Sequence, residues 1–128
     1  MLREQNVSIL IVDDDPSIVK LLGQFARDLS FGAVEAIHPR EALRMASEQD
    51  IHIAVVDLHM AEMGGLELMR SLLRLNDEMK VILITGDYSF ESAVNAIQNG
   101  AYDYLWKPID LNHLGESLQA IRELLFRK

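Results

Sequence analysis

Three consecutive aspartates, Asp13-Asp14-Asp15, follow a short apolar run; Asp57, Thr85 and Lys107 each follow another. Carboxylates gathered within a few ångströms repel one another, so at least one must hold its proton more tightly unless a cation intervenes. A hard divalent ion suits such an oxygen-rich set. Mg²⁺, with Mn²⁺ as the alternative, takes one or two carboxylates and a carbonyl while leaving room for water and an incoming phosphate. Asp14 and Asp57 are expected as direct ligands, His59 through its main-chain carbonyl, and Asp13 through water. Phosphoryl transfer asks mainly for positioning and for neutralisation of charge on the equatorial oxygens. Lys107 adds positive charge, the Thr85 hydroxyl can donate to a phosphoryl oxygen, and the Asp57 carboxylate can serve as a nucleophile that becomes an acyl phosphate.

These residues act together only if the fold brings them together. Ser8 to Val12 is a nearly continuous apolar run rich in β-branched residues, which suits a strand covered on both faces. Asp15 and Pro16 read as N-cap and first residue of a helix with Ile18, Leu22, Phe25 and Leu29 at helical spacing. The alternation repeats. Ala33 to Ile37 is a weak strand, followed by a helix opened by Pro39 with Ala42, Leu43 and Ala46 inward. Ile51 to Val56 is a strand ending at Asp57, and after Gly64-Gly65 a helix carries Leu66, Met69, Leu72 and Leu73. Val81 to Ile84 is a strand ending at Thr85; Ser89 caps a helix with Ala93, Ala96 and Ile97, closed by Gly100. Tyr104 to Trp106 is a brief strand, and Leu111, Leu114, Leu118, Ile121 and Leu125 mark an amphipathic closing helix. Alternating strands and helices imply a doubly wound α/β domain with a parallel sheet, whose functional site lies beyond the carboxyl ends of the strands.

Ile11-Val12-Asp13-Asp14-Asp15-Pro16, Val55-Val56-Asp57-Leu58-His59-Met60, Ile84-Thr85-Gly86 and Gly100-Ala101-Tyr102-Asp103-Tyr104-Leu105-Trp106-Lys107-Pro108 together resemble the signature of the receiver domain of bacterial two-component response regulators. The resemblance spans essentially the whole chain, read as a single domain, 1–128, with Met1 to about Asn6 a short extension. It implies a flavodoxin-like (βα)5 fold with a five-stranded parallel sheet in the order 2-1-3-4-5. It also implies a phosphoryl group taken from a phosphohistidine on a sensor histidine kinase or phosphotransfer protein, and self-catalysed dephosphorylation rather than turnover of external substrates. Carried over residue by residue, Asp13 and Asp14 are the metal-binding acids, Asp57 the phosphoacceptor, Thr85 the switch hydroxyl, Lys107 the phosphate partner and Tyr104 the switch aromatic. His59 and Asp87, two residues beyond the phosphoacceptor and the switch threonine, flank the path of an attacking water and tune phosphate lifetime. Phosphate on Asp57 draws Thr85 inward and Tyr104 into the space it leaves, which changes the surface offered to a downstream effector domain or protein. A phosphorylation-dependent homodimer through that surface is a further expectation. Ala61 departs from the commonest pattern, which has proline there, and loosens the loop after the third strand.

Bulk composition agrees with one ordinary core: 128 residues, 49% hydrophobic and 25% charged. A net charge of −8 opposes phosphate backbones, so direct nucleic-acid binding is not expected. The absence of cysteine, of an apolar leader in Met1 to Asn6 and of any long apolar stretch leaves a cytoplasmic protein without membrane contact as the expectation. Asp15 alone reads as a cap, and His38, His52, His59 and His113 lack metal-site spacing. Three other functions compete. A small phosphohydrolase working through an aspartyl phosphate commonly carries a second acid where His59 stands. A flavin-binding module would have its FMN phosphate repelled by Asp13, Asp14 and Asp15. A receiver that signals without phosphate has no support in a chain that keeps every expected acid, hydroxyl and lysine.

Overall fold

The computed structural model describes residues 7–86 and 89–126, apart from the side chain of Phe90. Five strands, β1 (Ser8–Val12), β2 (Gly32–Ala36), β3 (Ile53–Asp57), β4 (Lys80–Thr85) and β5 (Asp103–Trp106), alternate with five helices. These are α1 (Pro16–Asp28), α2 (Pro39–Glu48), α3 (Gly65–Leu75), α4 (Phe90–Gln98) and α5 (Leu111–Phe126). The strands form one sheet in the order β2-β1-β3-β4-β5, every neighbouring pair parallel. This is the doubly wound (βα)5 arrangement expected from the sequence.

The pleat sorts the strand side chains into two cores. Leu10, Val12, Ala54, Val56, Val81, Leu83 and Tyr104 pack with Ala42, Leu68, Met69, Leu72 and Ala96 from α2, α3 and α4. Ile9, Ile11, Ile53, Val55, Ile82, Ile84 and Leu105 pack on the other face with Val19, Leu22, Ala26, Leu114, Leu118 and Ile121 from α1 and α5. Because the central strands are covered on both sides, they read as unbroken apolar runs rather than alternating ones.

The details differ from the sequence reading in instructive places. β2 spans Gly32–Ala36 rather than beginning at Ala33 and reaching Ile37. Its only neighbour, β1, ends at Val12 opposite Ala36, so Ile37 has no ladder partner and is exposed. On α1 the buried line runs through Val19, Leu22 and Ala26, leaving Ile18, Phe25 and Leu29 half-buried at its margins. On α3, Leu68 is fully buried beside Met69 and Leu72, while Leu66 and Leu73 are only partly covered. Gly100 closes α4 with φ of 109°, a left-handed conformation that favours glycine. Met1 to Asn6 lie outside the described residues.

Candidate functional site

β1, β3 and β4 all end at one edge of the sheet, and polar residues begin where their apolar runs stop. Asp13 directly follows β1; its amide still bonds the Ala36 carbonyl (3.3 Å), and its Oδ1 accepts from the Asp15 amide (2.9 Å). That turn leaves Asp13 buried and Asp14 exposed. Asp15 is the N-cap of α1, accepting from the amide (3.0 Å) and hydroxyl (2.7 Å) of Ser17. Those bonds, the hydroxyl's first, hold the Asp15 carboxyl below its ordinary value.

Asp57, the last residue of β3, is only 5% exposed. The next peptide is pinned by a bond from the Leu58 amide to the Ile84 carbonyl (2.8 Å). α3 starts hard against this corner: a Cβ at Gly65 would lie 2.5 Å from the Asp57 carbonyl oxygen and 2.6 Å from the Leu58 Cα. Only glycine permits that approach, and the Gly64-Gly65 pair is its visible trace in the sequence.

Thr85 ends β4 and is wholly buried, and its carbonyl accepts from the Lys107 amide (2.7 Å). This bond holds the stem of Lys107, which precedes a cis peptide to Pro108. The Lys107 ammonium then reaches Asp13 Oδ2 at 3.1 Å and Asp57 Oδ1 at 3.6 Å. Carboxylate oxygens of Asp13, Asp14 and Asp57 all lie within 4.8 Å of one another. Three acids thus lie together, and one ammonium is shared by two of them.

The electrostatics follow from that imbalance. Burial first, then the charge of Asp13, push the Asp57 carboxyl above its ordinary value, against the opposing pull of Lys107 and of the His59 amide, 3.4 Å from Oδ1. Burial alone would lower the Lys107 ammonium; the hydrogen bond and charge of Asp13, with Asp57, outweigh it and raise the group. An all-oxygen donor set with excess negative charge, two members buried and one at the mouth, fits a hard divalent cation. Asp13, Asp14 and Asp57 are the side chains that could hold it. The His59 amide donates to Asp57 Oδ1, and its side chain is exposed.

Tyr104 is buried on the same face of the sheet as Thr85, its ring 5.6 Å from that of Trp106 in an edge-on contact. Asp87 lies outside the described residues. No signal in the sequence marked a second polar cluster at the start of β5. There Asp103 accepts from the Ser117 hydroxyl (2.5 Å) and the Tyr104 amide (2.8 Å), and pairs with His113 Nε2 (3.0 Å). His52, by contrast, accepts the Ser8 amide through Nδ1 (3.0 Å) and is structural. No helix among the described residues is long and apolar enough to cross a membrane.

With this geometry in hand, comparison with known proteins is specific. Residues 9–119 match the model of the response regulator receiver domain. The chain is 35% identical over 118 residues to the transcriptional regulatory protein ZraR of Escherichia coli K12, covering 92% of this chain and 27% of that protein. It therefore spans about a quarter of the length of the curated relatives it matches. A CheY-like response regulator receiver domain protein from Methanospirillum hungatei superposes with a TM-score of 0.86 at 29% identity, over 92% of this chain and 94% of that one. A response regulator protein from Burkholderia pseudomallei, solved with a phosphorylated aspartic acid, a calcium ion and citrate, superposes with a TM-score of 0.82 at 27% identity, over 94% and 71%.

Proposed function

The chain belongs to the response regulator receiver family of phosphoacceptor signalling domains, and from that premise we propose that Asp57 accepts a phosphoryl group from the phosphohistidine of a sensor histidine kinase or phosphotransfer protein in a Mg²⁺-dependent reaction. The observation that carries this reading is the gathering of Asp13, Asp14 and Asp57, two of which, Asp13 and Asp57, share the ammonium of Lys107.

An Asp57 oxygen attacks phosphorus, the P–N bond to the donor imidazole breaks, and the imidazole leaves with its electron pair and is protonated. Asp57 is held for this by its place at the end of β3, and the glycine behind it lets α3 pack directly against that corner. A divalent ion held by Asp13, Asp14 and Asp57 would supply charge neutralisation for the phosphoryl oxygens. Lys107 is tethered by its own main chain to Thr85 and brings positive charge beside Asp57, and the Thr85 hydroxyl would be the donor for a phosphoryl oxygen. The phosphorylated and calcium-bound state of the Burkholderia relative supports the same chemistry here.

Movement of Thr85 toward the phosphate draws Tyr104 after it and reshapes the surface of α4, β5 and α5, which a downstream effector domain or a second copy then reads. His59 and Asp87 set how long the phosphate survives. The setting is the cytoplasm, with no membrane or direct nucleic-acid contact by this domain. Incubation with Mg²⁺ and acetyl phosphate should add the mass of one phosphoryl group, and Asp57→Asn or removal of Mg²⁺ should prevent it. Undiminished labelling of Asp57→Asn would sink the assignment.

A further inference from the structure

Away from the acids, α1 and α5 lie side by side on one face of the sheet with a groove of about 520 Å³ between them. Phe25 and Leu29 form one wall and Ala120 part of the other. The groove exists because position 115 is glycine. A Cβ there would lie 3.3 Å from the Phe25 Cζ, so the Phe25 ring reaches the backbone of α5, which offers no side chain to cover it. Leu21, one turn before Phe25, and Leu124, one turn past Ala120, are 54% and 45% exposed and lengthen the apolar stripes of the two helices.

The rims are acidic. Glu116 and Glu123 line the groove, and among the described residues neither stands in an ion pair. Among the described residues, two nearby cations are engaged elsewhere: the Arg122 guanidinium donates to the Leu29 carbonyl and Gln119 and lies over Phe31, and Arg27 pairs with Glu35. We propose that this groove receives an amphipathic helix of a partner protein, its apolar stripe seated against Phe25, Leu29 and Ala120 and its flanks carrying Lys or Arg.

A helix is the form that fits. Its backbone polar groups are paired internally, whereas an extended segment would leave them unpaired against apolar walls, and a third helix laid between two others completes ordinary ridge-and-groove packing. A second copy of the chain is a poor occupant, since a two-fold contact would set Glu116 and Glu123 against the same glutamates. Phe25 lies nine residues along α1 from Pro16, roughly 14 Å at the rise of a helix. The partner therefore docks without covering Asp57.

Two synthetic helical peptides with one leucine stripe, flanked by lysine in one and by glutamate in the other, test the proposal on the whole chain by amide chemical shifts and titration. The lysine peptide should bind at least tenfold more tightly than the glutamate peptide, with shifts confined to α1 and α5. The double variant Glu116→Lys, Glu123→Lys should reverse the preference, and Glu67→Lys on α3 should leave it intact. Equal weakening by Glu67→Lys would reveal nothing more than attraction of a cationic peptide to a chain of net charge −8 and would overturn the proposal. So would shifts centred on the strand-end acids, or self-association that occupies the groove without peptide.

Discussion

Two carboxylates at the sheet, Asp57 and Asp103, sit in opposite chemical situations. Asp103 is fully served: a hydroxyl, an amide and an imidazole converge on it, and no other acid is among its partners. Asp57 is under-served, with one long amide bond and a shared ammonium against two neighbouring aspartates. A carboxylate satisfied by its own chain holds a structure together, whereas one left short of positive charge can take up something from outside.

The sharpest break in this comparison is chemical. Asp57→Asn should lose covalent phosphoryl uptake entirely, while Asp103→Asn should label from acetyl phosphate at close to the parent rate, read by intact mass over time. If Asp103→Asn failed to label although folded, the division between the two acids would be wrong.

Stability should divide them in the other direction. Asp103→Ala strands the buried Ser117 hydroxyl and removes the acceptor that ties β5 to α5, a loss of about 1–3 kcal/mol in urea unfolding. Asp57→Asn in the metal-free protein should be stabilising, by about 1 kcal/mol, because it relieves like-charge repulsion in a buried place.

The pH dependence of that gain follows from the raised Asp57 carboxyl. The folded state holds the Asp57 proton above the ordinary value of 3.8, at which the unfolded chain releases it. Between those two points the unfolded state binds fewer protons, so metal-free stability falls as pH rises, and the loss is complete once Asp57 is ionised in the fold. Asp57→Asn should remove this component, so the stability difference between the two proteins should be smallest well below pH 3.8 and grow as pH rises above it. Mg²⁺ should shrink the difference at neutral pH by supplying the missing charge. A difference that stays flat with pH in the absence of metal would show that the acids do not strain one another.

The contrast also marks what a sequence discloses. Asp13, Asp57 and Thr85 were legible because each stops an apolar run, and a parallel sheet brings such stops to one edge. Lys107 was legible through its distance from the end of β5. The Asp103 cluster was not, since the contact of Asp103 with His113 and Ser117 depends on how α5 settles on β5, which no local pattern records. Leu68, too, is fully buried, although Leu66 and Leu73 appeared equally suited. Strand β3 was drawn from Ile51, yet it begins at Ile53. His52 instead bridges β1 and β4, through Ser8 and Lys80, before the ladder starts.

The smallest effect expected is optical, and it tests whether the two regions communicate. Trp106 is the sole tryptophan of the chain; it is 42% exposed, and its ring meets that of Tyr104 edge-on. Tyr104 shares a sheet face with Thr85 near the carboxyl end of β4, and its amide is bound by Asp103. If Tyr104 turns when Asp57 is loaded, the Trp106 environment changes by loss of one ring contact, worth about 1 kcal/mol, and its emission shifts at fixed pH. Beryllofluoride with Mg²⁺ should produce this change, and Tyr104→Ala should abolish it without preventing loading. Asp103→Asn should leave the change in place, because the Tyr104 amide is held by a side chain that does not move with the phosphate. An unchanged emission spectrum on loading, with labelling intact, would mean that the under-served acid acts without engaging β5.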